Sequence, residues 1–147
     1  MSELVVARFA DLDAATLYAL LRLRTDVFVV EQECAYPELD GRDTEPGTRH
    51  LWLRDGPGAE PLGYLRILEE PDGSARIGRV CVTAKARGAG LAGRLMSAAL
   101  DVVGARRCVL DAQSHLTGFY AGFGFAPTGP GFDEDGIPHV PMARVPG

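Results

Sequence analysis

The chain has 147 residues, 46% of them hydrophobic and 24% charged, and a formal net charge of −5. This composition predicts a globular protein with a sizeable core, organised as one domain over residues 1–147. The acidic balance argues against nucleic-acid binding, and no apolar run approaches the ~20 residues of a membrane span. Three widely spaced cysteines and the lack of a leader-like start predict a cytoplasmic protein with free thiols and no metal site.

Taken in chain order, the apolar pattern predicts strands joined by hairpins, followed by strand–helix–strand units. Strands are predicted at 4–9, 48–54, 62–68, 75–82, 108–112, 125–128 and 137–145. Helices are predicted at 13–29, 91–104 and 117–123, and long loops at 29–43 and 129–136. The fold class is therefore α/β, of the α+β kind, with a mixed sheet flanked by helices.

The segment at 26–45 is strongly acidic, with seven acids and Arg42 as its one base. A loop this long in a small domain is usually functional or disordered, and its apolar residues favour order. Two interpretations stay open. The segment is either an acidic wall of a substrate site that attracts an amine, or a solvated acidic surface.

A glycine-rich loop connects the strand at 75–82 to the helix that begins near Leu91. Gly88, Gly90 and Gly93 let the backbone approach a ligand closely, and the first N–H groups of a helix have no partner within it. Together with the positive end of the helix dipole, these groups form an anion site suited to phosphate.

Three interpretations of this loop compete. It is a tightly packed turn without a ligand, a dinucleotide site or a pyrophosphate loop. The pattern Gly88-x-Gly90-x-x-Gly93 matches the dinucleotide fingerprint, with Asp111 as a ribose ligand. However, residues 83–87 separate the strand from Gly88, and too little chain remains for further βα units. The pattern Arg87-x-x-Gly90-x-Ala92 instead matches a pyrophosphate loop.

That last pattern, with its flanking strand and helix, resembles the GNAT acyltransferases. The residues at 119–125, Phe-Tyr-Ala-Gly-Phe-Gly-Phe, resemble a segment that follows the fifth strand in that superfamily. Segments at 28–32, 36–40 and 135–139 resemble its ElaA-like branch. The resemblance covers nearly the whole chain and implies a mixed, splayed sheet of about seven strands, with acetyl-CoA as donor and an amine as acceptor.

The resemblance also implies roles for residues. The cofactor-binding residues are the strand residues Val80, Cys81 and Val82 and the loop residues Arg87, Gly88, Ala89, Gly90, Leu91, Ala92 and Gly93. Tyr120 matches the family's tyrosine and is the candidate acid that protonates the leaving thiolate. The acceptor side is assigned to Glu31, Glu33, Tyr36 and His115. The base remains open among Glu31, Glu33, Asp111, His115 and His139.

The resemblance implies an acetyl-CoA-dependent N-acetyltransferase. It would move an acetyl group to a primary amine of a small molecule or peptide by direct attack. The alternative is a catalytically silent acyl-CoA-binding sensor on the same fold. No nucleic acid or membrane is expected as a partner, and the oligomeric state stays open, a homodimer included. A covalent acyl-cysteine route is disfavoured because Cys81 and Cys108 lie in apolar strands.

Overall fold

The protein, a computed structural model that describes residues 2–145, folds around a mixed sheet of eight strands within that range. The strands are β1 (Glu3–Ala7), β2 (Arg49–Arg54), β3 (Gly63–Glu69), β4 (Ala75–Val82), β5 (Cys108–Gln113), β6 (Ala126–Pro127), β7 (Phe132–Glu134) and β8 (Ile137–Arg144). Their order is β1-β2-β3-β4-β5-β8-β6, with β7 paired to β8. Among these eight described strands, only β4 and β5 run parallel to each other. The predicted fold class is confirmed.

Three helices pack against this sheet: α1 (Ala14–Thr25), α2 (Leu91–Val103) and α3 (Thr117–Ala121). The Asp13 carboxylate accepts a hydrogen bond from the Thr16 N–H and so caps α1. A π-helical segment, Asp26–Glu31, continues α1 directly. The predicted helix, 13–29, therefore ends two residues before the observed helical segment, which ends at Glu31. Hydrophobic spacing does not reveal a final turn that widens from the α to the π geometry.

The predicted strands agree with the observed ones to within two residues at each end. The exception is β7, which lies inside the loop predicted at 129–136. Asp135 and Gly136 both have positive φ, 51° and 81°, and join β7 to β8 in a tight hairpin. An Asp-Gly pair is a strong hairpin signal, so this strand could have been predicted. The predicted domain includes Met1, Pro146 and Gly147, which lie outside the described residues.

The two parallel strands pair only where they begin. Ala75 lies opposite Cys108 and Arg76 opposite Val109, and from there β4 and β5 separate. On its other side β4 pairs with β3 through an irregularity, where Arg79 adopts a left-handed φ of 55°. Between residues 2 and 145, no strand pairs with the β5-facing edge of β4 beyond Arg76. A bulge next to an opened sheet commonly re-aims side chains at a functional site.

The core has one part on each face of the sheet. On one face Leu95, Met96 and Ala99 of α2 pack against the inner strands, and on the other Leu20 and Leu23 of α1 pack against them. Burial raises the pKa of the Cys81 thiol to about 12 and that of Cys108 to about 11. Both remain protonated thiols at neutral pH. None of the helices between residues 2 and 145 is long and apolar enough to cross a membrane.

Candidate active site

A cleft of about 530 Å³ opens where β4 and β5 separate. Val80, Tyr120, Tyr36, Asp111 and His139 are among the residues that line it. Separation of the strands leaves backbone groups of β4 without a strand partner, and such groups can pair with an extended ligand. The cleft therefore combines apolar and polar side chains with a free strand edge.

The glycine loop follows β4 and leads into α2. Gly88 and Gly90 have φ values of 85° and 75°, and Gly90 is the N-cap of the helix. A Cβ added at either glycine would meet no heavy atom of the described chain within 4 Å. The first hydrogen bond of the helix joins the Arg94 N–H to the Gly90 carbonyl at 3.1 Å. The preceding N–H groups have no side-chain cap and fit a pyrophosphate.

Arg87, the first residue of the predicted phosphate pattern, is tied to the protein on two sides. Its Nε donates to the Val82 carbonyl at 3.1 Å, and its two terminal nitrogens bind the Glu31 carboxylate at 2.6 and 2.7 Å. The hydrogen bonds from Arg87 lower the pKa of Glu31 below its ordinary value. Glu31 thus links the π-helical segment to the glycine loop and lies outside the residues that line the cleft.

Tyr120 is buried, with 7% of its surface exposed, and it lines the cleft. Its ring packs edge-on against Phe119 and Phe125. Its hydroxyl has no hydrogen-bond partner among residues 2–145. Burial raises the pKa of Tyr120 to about 12, so the side chain is a neutral phenol with a donor free for a ligand in the cleft.

The acidic segment is ordered and largely neutralised by arginines. Glu38 binds both Arg24 and Arg79, each at Nε, at 2.7 and 2.9 Å. Asp43 accepts from Arg24 at 2.7 Å and from Arg66 at 2.9 Å. Both carboxylates are buried. The expectation of a free acidic wall, or of a solvated acidic surface, is wrong for these two residues because arginines from α1, β3 and β4 compensate them.

This network holds the predicted substrate residue Tyr36 at the cleft. Its hydroxyl donates to Glu38, and the Arg79 guanidinium lies 5.7 Å from its ring centre. Glu33 and His115, also predicted for the acceptor side, are exposed and are not among the residues that line the cleft. No sequence pattern indicates the arginine partners. Arg24 falls in a predicted helix, where a basic residue is normally solvated, yet only 1% of it is exposed.

Two contacts tie the end of the π-helical segment and the loop after it to other parts of the chain. The side chains of Gln32 and Gln113 are hydrogen-bonded at 3.2 Å, and the Cys34 thiol donates to the Asp135 carbonyl at 3.4 Å. The first contact joins the end of the π-helical segment to β5, and the second joins the following loop to the β7–β8 turn. Gln32, Cys34, Gln113 and Asp135 all line the cleft.

His50 is hydrogen-bonded to Asp43 of the acidic segment, and it makes the stability of the fold depend on pH. Its Nε2–H donates to the Asp43 carbonyl at 3.0 Å, which leaves Nδ1 to accept from the Tyr64 hydroxyl at 2.6 Å. Burial lowers the pKa of His50, although the contact with Asp43 opposes this and Arg24 and Arg66 assist it. The folded protein therefore keeps this ring neutral.

The unfolded chain binds one more proton than the folded chain between the lowered pKa and the ordinary histidine value of about 6.5. We expect this contribution to stability to be complete above that value. It should be lost as the pH falls, with a slope of up to about 1.4 kcal/mol per pH unit. Urea unfolding between pH 5 and 7.5 measures the slope. His50→Gln should remove this component, and an identical slope in both proteins would contradict the assignment.

The fold is of the acyltransferase type of α+β fold. Its marks are two parallel strands that separate, a free strand edge, and a helix that begins at a glycine and has no side-chain cap. A family model described as "Acetyltransferase (GNAT) domain" matches residues 25–145, and the chain belongs to this family. The predicted family and its ElaA-like branch are confirmed by the relatives as well. Protein ElaA of Escherichia coli is 42% identical over 143 residues, which are 92% of this chain and 91% of that protein.

Other relatives extend this similarity. A UPF0039 protein of Mycobacterium tuberculosis is 54% identical over 137 residues, covering 91% of this chain and 87% of that protein. The crystal structure of an acyl-CoA N-acyltransferase from Pseudomonas aeruginosa superposes with a TM-score of 0.92 at 41% identity, covering 99% of this chain and 100% of that one. The crystal structure of Escherichia coli ElaA gives 0.90 at 39% identity, with coverage of 98% and 99%.

Proposed function

We propose that the protein is an acetyl-CoA-dependent N-acetyltransferase that acetylates a primary amine of a small molecule or peptide by direct attack on the thioester. The observation that carries this proposal is that Tyr120, whose hydroxyl has no partner among residues 2–145, lines the cleft that opens where β4 and β5 separate. A thioester against the free edge of β4 would have its sulfur near a proton donor. Membership of the GNAT family supports the same reaction class.

Three parts of the chain would bind the donor. The N–H groups from Gly88 to Gly93 would bind the pyrophosphate, with the positive end of the α2 dipole behind them. The backbone of Val80 and Val82 would pair with the extended pantetheine arm. A backbone N–H at this edge would also polarise the thioester carbonyl. Most of the rate enhancement would come from aligning amine and thioester in one cleft.

Acceptor-stimulated release of thiol from acetyl-CoA tests the function. The panel should contain alkyl diamines, aralkylamines, free amino acids and short peptides with free amino termini. Together these represent the small-molecule and peptide amines of the proposal. Acetylation of any of these amines, identified by mass spectrometry, is the expected result. Binding of acetyl-CoA without turnover for every amine would instead support the silent sensor.

Acetyl-CoA should stabilise the protein against heat, whereas NAD and NADP should not. A hundredfold excess of ligand over its Kd adds about 2.7 kcal/mol to the free energy of unfolding. At about 3 °C per kcal/mol for a domain of this size, the Tm should rise by roughly 8 °C. Thermal melts over a ligand series measure the shift, which should grow with concentration. Stabilisation by NAD alone would contradict this prediction and favour the interpretation of the glycine loop as a dinucleotide site.

A further inference from the structure

The cleft distinguishes among the five residues that the sequence leaves open as the base. Glu31, Glu33 and His115 are exposed and lie outside the lining, and the Glu31 carboxylate is already held by Arg87. Asp111 lines the cleft, but its carboxylate accepts from Arg76 Nη1 at 3.2 Å. His139 is the remaining candidate, and it too lines the cleft.

Hydrogen bonding fixes which nitrogen of His139 carries the proton. Nδ1 lies 2.7 Å from the carbonyl oxygen of Ile137. A carbonyl only accepts, so Nδ1 must be the donor, and in the neutral ring Nε2 must then hold a lone pair. His50 differs in this respect, because both of its ring nitrogens are committed to protein partners. His139 is therefore the histidine with a free acceptor nitrogen at the cleft.

An aromatic ring and a carboxylate lie next to His139. The side chain is 12% exposed, and the ring of Phe132 stacks on it with centres 5.8 Å apart. Glu134 of β7 places Oε2 at 3.9 Å from Nε2. From β5, Gln113 lies opposite His139 in register, and the Asp111–Arg76 pair lies further along the same strand.

We propose that His139 is the general base of the reaction, with Nε2 accepting a proton from the acceptor amine; this rests on the proposed function. The amine nitrogen forms a bond to the thioester carbon, the bond between that carbon and sulfur breaks, and the electron pair leaves on sulfur. The proton lost by nitrogen goes to Nε2 and then to solvent. The thiolate accepts a hydrogen bond from Tyr120 and takes its proton from water, so atoms and charge balance.

The tautomer is tested without any acceptor. Long-range ¹H–¹⁵N correlation spectra of the free protein, assigned with a His139→Asn sample, report which ring nitrogen of His139 is protonated in the neutral form. We expect the proton on Nδ1 and the lone pair on Nε2. A predominant Nε2–H tautomer would leave His139 without a lone pair on Nε2 and would overturn the proposal.

Two substitutions separate catalysis from support of the hairpin. In His139→Asn the side-chain amide can still donate to Ile137 from a position near that of Nδ1, but the Nε2 lone pair is gone. His139→Gln instead places its amide near Nε2. If His139 is the base, both variants should lose kcat by about 30-fold, a little below the usual 10²-fold or more because Glu134 and water can partly substitute. The Tm of His139→Asn should stay near that of the wild-type protein.

Turnover with one acceptor completes the test. With an alkylamine acceptor from the panel, kcat should fall in His139→Asn, while Glu134→Gln should leave turnover measurable. Wild-type kcat in His139→Asn would overturn the proposal and leave His139 a structural residue. If the wild-type protein binds acetyl-CoA but acetylates no amine, the proposed function itself fails, and the role of His139 fails with it.

Discussion

Gly90→Val is expected to weaken acetyl-CoA binding by at least 10²-fold while the protein remains folded. Gly90 has a φ of 75° at the N-cap of α2, and a side chain there would extend into the open space before the helix. That space is where the N–H groups would meet the pyrophosphate. Loss of two charge-assisted hydrogen bonds, at about 1.5–3 kcal/mol each, corresponds to a decrease in affinity of at least ~10²-fold. Isothermal titration with acetyl-CoA measures it.

A valine at positive φ is strained wherever it lies, at a cost of about 1–3 kcal/mol, so a matched control is needed. Gly73 has a φ of 88° in the β3–β4 turn, with no heavy atom of the described chain within 4 Å of a Cβ added there. It lies at the opposite end of β4 from the glycine loop. Gly73→Val should lose similar stability and keep wild-type affinity. Equal affinity in the two variants would remove Gly90 from the pyrophosphate site.

The sequence predicts the local elements of the fold well, because each depends on neighbouring residues. The ends of β4 and the start of α2 are correct, since an apolar run followed by glycines specifies both. The same local logic missed the π-helical segment and β7. The π-helical segment changes the helical period over a single turn. The strand β7, Phe132–Glu134, has only three residues, all exposed, and so has no alternating apolar pattern.

The candidate site was less predictable, because its walls come from distant parts of the chain. Gln32 and Gln113 are separated by 81 residues, and Cys34 and Asp135 by 101. Pairing of Glu38 with arginines of α1 and β4 depends on the packing of those elements, which no spacing rule encodes. Composition therefore suggested an acidic wall or a solvated acidic surface where the folded chain has compensated ion pairs. The role of His139 depends in the same way on a single carbonyl that the hairpin presents.

Tyr120→Phe is expected to reduce kcat by ~10²-fold and to leave acetyl-CoA affinity unchanged. Burial raises the pKa of Tyr120 to about 12, above the value of about 8.5 for a thiol. Complete proton transfer to the thiolate is therefore uphill by about 5 kcal/mol at 1.36 kcal/mol per pKa unit. Tyr120 would act mainly as a hydrogen-bond donor to the developing charge. Such a bond contributes about 1.5–3 kcal/mol, and the upper end corresponds to ~10²-fold.

The stability of this variant separates a kinetic role from a packing role. The Tyr120 hydroxyl has no partner among residues 2–145, so its removal leaves no buried group unpaired and should not lower the Tm. Packing against Phe119 and Phe125 is retained by the new ring. Tyr18→Phe, at an exposed tyrosine of α1, is the matched control and should behave as wild type. An unchanged kcat in folded Tyr120→Phe, measured at saturating acetyl-CoA where chemistry limits the rate, would leave catalysis to alignment and to the backbone of β4.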